Sequence, residues 1–393
     1  MPVTIPSISL IRQGGLDRIG GADQGFARSL GFPRNSRDHG PFPDITARHG
    51  IMASSAPSRP LAVIFGAPDP VLNADQKAFY RDANPLGLIL FKRNCESPDQ
   101  VRRLCDDFRN AVGRADAPIL IDFEGGEHQR MEPPVWPAFP APAAFGRLYA
   151  KDALAGLRAT RLNGAAIGTL LRQHGVNVDC APLADVPVAG ADPVIGERAF
   201  GSDPEVVTVL ARAFMDGMAS VGVTPIIKHI PGHGRALVDS HKDRPFVDTD
   251  LSELDRTDFL PFARLSRTAP WAMVAHVVYT GVDAKNPATI SKDAVQMLIR
   301  DRIGFDGVLI SDCIYMESLG GTLAERAAAV QGAGVDIVLS SHGDVDEWTP
   351  IAASVKPLTD AAASRLARPL PPAGAMLDVA GTLEEITGLL ALA

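Results

Sequence analysis

From residue 60 onward, short apolar runs alternate with longer stretches in which apolar residues return every three or four positions. The runs cover 61–65, 87–91, 118–121, 176–178, 224–227, 271–275, 307–310 and 336–339, and each reads as a short buried strand. Between them a helical period is legible at 98–112, 154–173, 251–265, 291–302 and 322–332. It is plainest after Asp203-Pro204, an N-cap followed by proline at the first helical position, where Val206, Leu210, Phe214 and Met218 recur every four residues. Strands alternating with helices call for parallel strands joined by crossovers. Eight such units in roughly 300 residues fit a closed (β/α)8 TIM barrel, a single α/β domain, better than an open sheet.

The same pattern sets the expected boundaries. Residues 1–58 carry scattered Pro, Ser, Gly and Arg with no surviving period, and read as a loosely ordered extension. Met52 heads the stretch just before regular structure and is a candidate start. The barrel is expected over 59–345. Residues 346–393, rich in Ala and Pro, read as a helical segment whose last amphipathic helix, 377–392, packs on the barrel exterior.

Composition narrows the class. A chain of 393 residues with 46% hydrophobic and 21% charged residues buries a large core. Its net charge of −8, with no basic run, speaks against nucleic acid as a partner. No apolar run approaches the ~20 residues that span a bilayer, so no membrane partner is expected. Residues 1–21 lack the features of a secretory signal. Cys95, Cys105, Cys180 and Cys313 are widely spaced without a C-x-x-C pair, as free thiols of a reducing compartment would be. A cytoplasmic monomer acting on a small molecule is the expectation, with no cofactor, because neither G-x-G-x-x-G nor a phosphate-cradling lysine loop is present.

Candidate chemistry falls just past the runs, where such barrels gather their active sites. Asp122, Glu124 and Arg130 follow the third run, Asp179 and Asp185 the fourth, Lys228 and His229 the fifth, His276 the sixth, and Ser311-Asp312 the seventh. The densest stretch, 224–245, holds Lys228, His229, His233, Asp239 and His241 among Pro231, Gly232 and Gly234. Asp239 and His241 are close enough for the carboxylate to fix the imidazole tautomer, which makes a proton shuttle. A metal reading of His229, His233, Asp239 and His241 is weakened because Pro231, Gly232 and Gly234 break any helix that would bring the histidines to one face. Asp312, ending an apolar strand, reads equally as nucleophile, base or ligand.

Over about 61–339 the chain resembles glycoside hydrolase family 3, and within it the bacterial single-barrel β-N-acetylglucosaminidases of peptidoglycan recycling. The segments that carry the likeness are 87–91 with Arg93-Asn94, Asp122-x-Glu124-Gly125-Gly126 with Gln129-Arg130, Gly196-Glu197-Arg198-x-Phe200, and Lys228-His229-x-Pro231-Gly232-His233-Gly234 running on to Asp239-Ser240-His241. Segments 275–279 and 305–312 add to it. The resemblance implies a retaining exo-hydrolase of terminal β-linked GlcNAc in muropeptides or chitin-like oligosaccharides. It makes Asp312 the nucleophile, His241 the acid/base with Asp239 as partner, and Asp122, Arg130, Arg198, Lys228 and His229 the sugar-binding set. No metal enters it. A family 3 β-glucosidase, a phosphorylase of related glycosides and a non-catalytic sugar-binding relative are the alternatives. There are three departures from the family pattern: Cys313 where a second aspartate is usual, Glu127-His128 for Arg-Val, and Ile230 for an aromatic residue.

Overall fold

In the computed structural model, residues 59–393 are described; the expected extension 1–58, with the candidate start at Met52, lies outside them. Eight strands close a parallel barrel: β1 (Leu61–Gly66), β2 (Pro85–Leu90), β3 (Ile119–Ile121), β4 (Val178–Asp179), β5 (Thr224–Ile230), β6 (Trp271–Val274), β7 (Val308–Cys313) and β8 (Ile337–Ser340). Each pairs in parallel with its sequence neighbours, and β8 pairs with β1 to complete the ring. The expected (β/α)8 architecture is the one observed.

The helices lie outside the ring, and their caps are written locally. The helix Pro98–Val112 starts at Ser97, whose hydroxyl accepts from Gln100 N–H, has proline at its first position and ends at Gly113 with φ 66°. Val101, Leu104, Cys105 and Phe108, spaced three, one and three apart, are its buried stripe and contribute about 1.5–3 kcal/mol per large side chain by burial. The helix Ala153–Gln173 packs against both Pro204–Ser220 and the terminal helix Val379–Leu390.

Differences from the expected pattern have local causes. The stretch 251–265 is two short helices, Leu251–Leu254 and Phe259–Leu265. Pro261 cannot donate to the Thr257 carbonyl, and Asp258 is held by Arg235 Nε at 2.6 Å. The stretch 291–302 winds as a π-helix over Ala294–Arg302. Two helices escape the pattern, Ala74–Ala83 and Pro142–Lys151; the first buries only Gln76 and Tyr80, too narrow a stripe to read. β5 and β7 outrun their apolar runs and carry Lys228, His229, Ser311 and Asp312 within the ladder. An apolar pattern ends at the first charged residue, but the backbone keeps pairing when that side chain finds a partner inside the barrel mouth.

Candidate active site

The carboxyl ends of the strands surround a cavity of about 280 Å³, near the small end of the range for small-molecule sites. Asp122, Arg130, Arg198, Lys228, His229, His241 and Asp312 all line it, and Asp239 stands behind His241. The eight residues singled out in the sequence therefore converge on one site.

A register shift between Lys228 and Ile230 against β6 re-aims the end of β5, and consecutive residues Lys228 and His229 both face the cavity. Lys228 is 2% exposed, with Nζ 2.8 Å from Asp122 Oδ1 and 2.7 Å from Glu124 Oε1. Arg198 grips Glu124 through two bonds of 2.8 Å, and Arg130 reaches Asp122 at 3.4 Å. Burial alone would raise both carboxyls; Lys228, joined by Arg130 at Asp122 and by Arg198 at Glu124, overrides it. Asp122 is held at about 2 and Glu124 well below the carboxylate range. Burial likewise works against the Lys228 ammonium, and the two carboxylates push its pKa above the ordinary lysine value. The five side chains are fixed in their charged forms and aim donors and acceptors at the cavity.

A second carboxylate system stands beside it. Asp185, fully buried, accepts from His229 N–H with both oxygens at 3.1 Å, meets His229 Nδ1 at 2.7 Å and accepts from His233 N–H at 2.7 Å. An Nδ1–H on Asp185 leaves His229 Nε2 as the atom presented to a ligand. The approach needs Gly234, because a Cβ there would lie 2.0 Å from the Val186 carbonyl oxygen. His233 in turn meets Ser240 Oγ at 3.0 Å, tying the β5 exit to the segment that bears His241. Burial and the neighbouring His229 bring the His233 imidazole down to about 4, so it is neutral near pH 7.

His241 Nδ1 is 2.7 Å from Asp239 Oδ1, which also accepts His241 N–H at 2.9 Å. The imidazole is 63% exposed and its partner carboxylate 13%. Burial pushes Asp239 up, but the two bonds from His241 bring it below the usual range. Asp312, at the end of β7, accepts the Cys313 N–H at 2.7 Å. Burial would raise its carboxyl; His229, His276 and that N–H together hold it low, so it is an anion at the cavity floor. The arrangement suits attack by a carboxylate and proton transfer by an oriented imidazole on one polar ligand.

Glu124 and Asp185 were legible only as charges past apolar runs, and no spacing said which cation each would meet. Of the departures from the family pattern, His128 and Cys313 line the cavity, whereas Glu127 is exposed and Ile230 buried, both outside its lining. His128 is brought to about 4 by burial and by Arg198, against the pull of Glu124, and so presents a neutral ring. Cys313 Sγ lies 2.6 Å from Ser341 Oγ, and burial keeps its thiol protonated.

Known proteins resemble this chain in sequence and in fold. A β-hexosaminidase of Aromatoleum aromaticum is 36% identical over 273 residues, 67% of this chain and 76% of that protein. One from Bordetella parapertussis is 39% identical over 275 residues, 68% and 76% of the two chains. Among solved structures, NagZ from Neisseria gonorrhoeae in complex with N-trifluoroacetyl-D-glucosamine superposes with a TM-score of 0.76 at 30% identity, covering 84% of this chain and 98% of that one. A family 3 β-N-acetylglucosaminidase from Paenibacillus gives 0.69 at 28% identity, over 84% and 60%. The match to the glycosyl hydrolase family 3 N-terminal domain runs over residues 66–368, most of the described barrel: the chain belongs to glycosyl hydrolase family 3.

Proposed function

We propose that this β-N-acetylhexosaminidase is a retaining exo-enzyme that releases terminal β-linked GlcNAc from muropeptides or related oligosaccharides in the cytoplasm. The observation that carries the mechanism is the placing of Asp312 and the Asp239-paired His241 on one cavity. In the first step an Asp312 oxygen bonds to the anomeric carbon while the glycosidic oxygen departs with the proton of His241. In the second, His241 takes a proton from water, whose oxygen displaces Asp312 and regenerates the carboxylate. A histidine replaces the second carboxyl group of most retaining glycosidases. An imidazole oriented by a carboxylate can serve as both acid and base.

The Lys228 cluster and His229 supply fixed donors and acceptors for the hydroxyls of the terminal sugar. The hexosamine preference is supported by the relatives' names and the muropeptide role by the family resemblance. Four free cysteines accord with a reducing compartment, and among the described residues no helix is long and apolar enough to cross a membrane. Assay of aryl β-GlcNAc beside aryl β-glucoside tests the reading. The expected result is turnover of the first with β-GlcNAc as the initial product by NMR; turnover of the glucoside alone, or an α-anomer first, would overturn it. An imidazole repels an anionic acceptor less than a carboxylate would, which keeps phosphorolysis as the second reading, scored by GlcNAc 1-phosphate formed in phosphate buffer.

A further inference from the structure

The cavity is lined not only by the charged cluster but also by Phe91, Tyr315 and His342. The mechanism leaves these rings without a task. Past β7 and β8, the Tyr315 and His342 rings meet with centroids 5.5 Å apart at 52°, and His342 meets Phe91, past β2, at 5.7 Å and 34°. Two polar atoms of the wall are engaged with protein: Tyr315 donates to Glu347 Oε2 at 3.0 Å, and His342 Nδ1 lies 2.7 Å from Ser341 Oγ. Phe91 is covered by the Arg93 and Arg130 guanidinium groups at 4.9 and 5.6 Å. Tyr315 is half-buried and His342 exposed, so theirs are the ring surfaces left to a ligand.

Their position relative to the proton donor gives this wall a meaning. A leaving group must depart past the acid that protonates it. The segment bearing His241 is tied to the one that follows β7 by Arg244 Nε, which donates to the Ser318 carbonyl at 3.0 Å. Tyr315 therefore borders the cavity beside the His241 segment, and a sugar held by the Lys228 cluster, with its anomeric carbon at Asp312, projects its leaving group toward that border.

We propose that Tyr315 and His342 form the leaving-group subsite and take a second pyranose ring, its apolar C–H face laid on theirs. The proposal deepens the hexosaminidase reading and rests on it. The test compares N,N′-diacetylchitobiose with methyl β-N-acetylglucosaminide, whose leaving groups are both alkoxides, so that the difference reports the second ring. Wild-type kcat/KM is expected to be at least about tenfold higher for the disaccharide. In Tyr315→Ala and His342→Ala that ratio falls by about two- to tenfold, the range of an aromatic pair contact. Tyr315→Phe, which keeps the ring and loses only the Glu347 bond, retains the ratio. A wild-type ratio near one, or a ratio unmoved in the double alanine variant, overturns the subsite alone. A folded protein that turns over neither glycoside overturns the hexosaminidase reading and the subsite with it.

Discussion

The two charged centres of the cavity are built on opposite plans. Around Lys228, five ionised side chains are paired with one another in a site where the lysine is 2% exposed. At His241 one imidazole, 63% exposed, leans on one carboxylate. On the proposed reading, the difference follows from what each would do. Groups that hold a sugar work best when their charge and direction never change, and burial among opposite charges achieves that. A group that gains and loses a proton each turnover needs both states within reach, which contact with water permits. On that reading, a buried charged cluster and an open imidazole answer opposite needs.

The contrast is broken most sharply by separating activity from stability. Asp312→Ala should cost on the order of 10⁴-fold or more in kcat and leave the urea midpoint near wild type, because this carboxylate makes a single bond to its neighbour's N–H. A large loss of stability in that variant would show Asp312 to be part of the fold's scaffold. Lys228→Met should do both kinds of damage. It leaves Glu124 with Arg198 alone and Asp122 with only the 3.4 Å contact of Arg130 in a buried site, and breaking a buried pair from one side costs about 3–5 kcal/mol, read by denaturant unfolding.

The pH dependence sharpens the same point. Asp122 has a folded pKa of about 2, below its unfolded value of about 3.9. Its contribution to stability is therefore fully present above about pH 4 and is lost as pH falls toward 2. Wild-type stability should decline over that window, and Lys228→Met should flatten the decline; an unchanged slope would mean that Lys228 does not hold Asp122. The smallest effect belongs to the exposed dyad. Asp239→Asn should lower kcat by about ten- to a hundredfold, part of what acid–base catalysis contributes. It should shift stability by less than about 1 kcal/mol, because the His241 end of the pair is 63% exposed.

Particular residues show what was readable and what was not. The helix 98–112 was legible to the residue because its cap, its proline, its stripe and its terminal glycine are all local. The helix Ala74–Ala83 was not, since its capping box between Asn73 and Gln76 stands without a broad apolar face. Asp239 and His241 could be paired from their spacing alone. Lys228 and Asp122 could not, being 106 residues apart, nor could Asp185 and His229, 44 apart. The extension 1–58 lies outside the described residues.

The sequence by itself determined the alternation of strand and helix, hence the barrel, and with it the end of the barrel at which the charges gather. It also determined the Asp239–His241 pair, because two residues in one turn meet whatever surrounds them. Only the tertiary structure decided which buried carboxylate answers which cation and that Tyr315 and His342 share a wall. Those contacts depend on which strand ends the closed sheet brings side by side, and on a register shift that turns Lys228 and His229 into the same cavity.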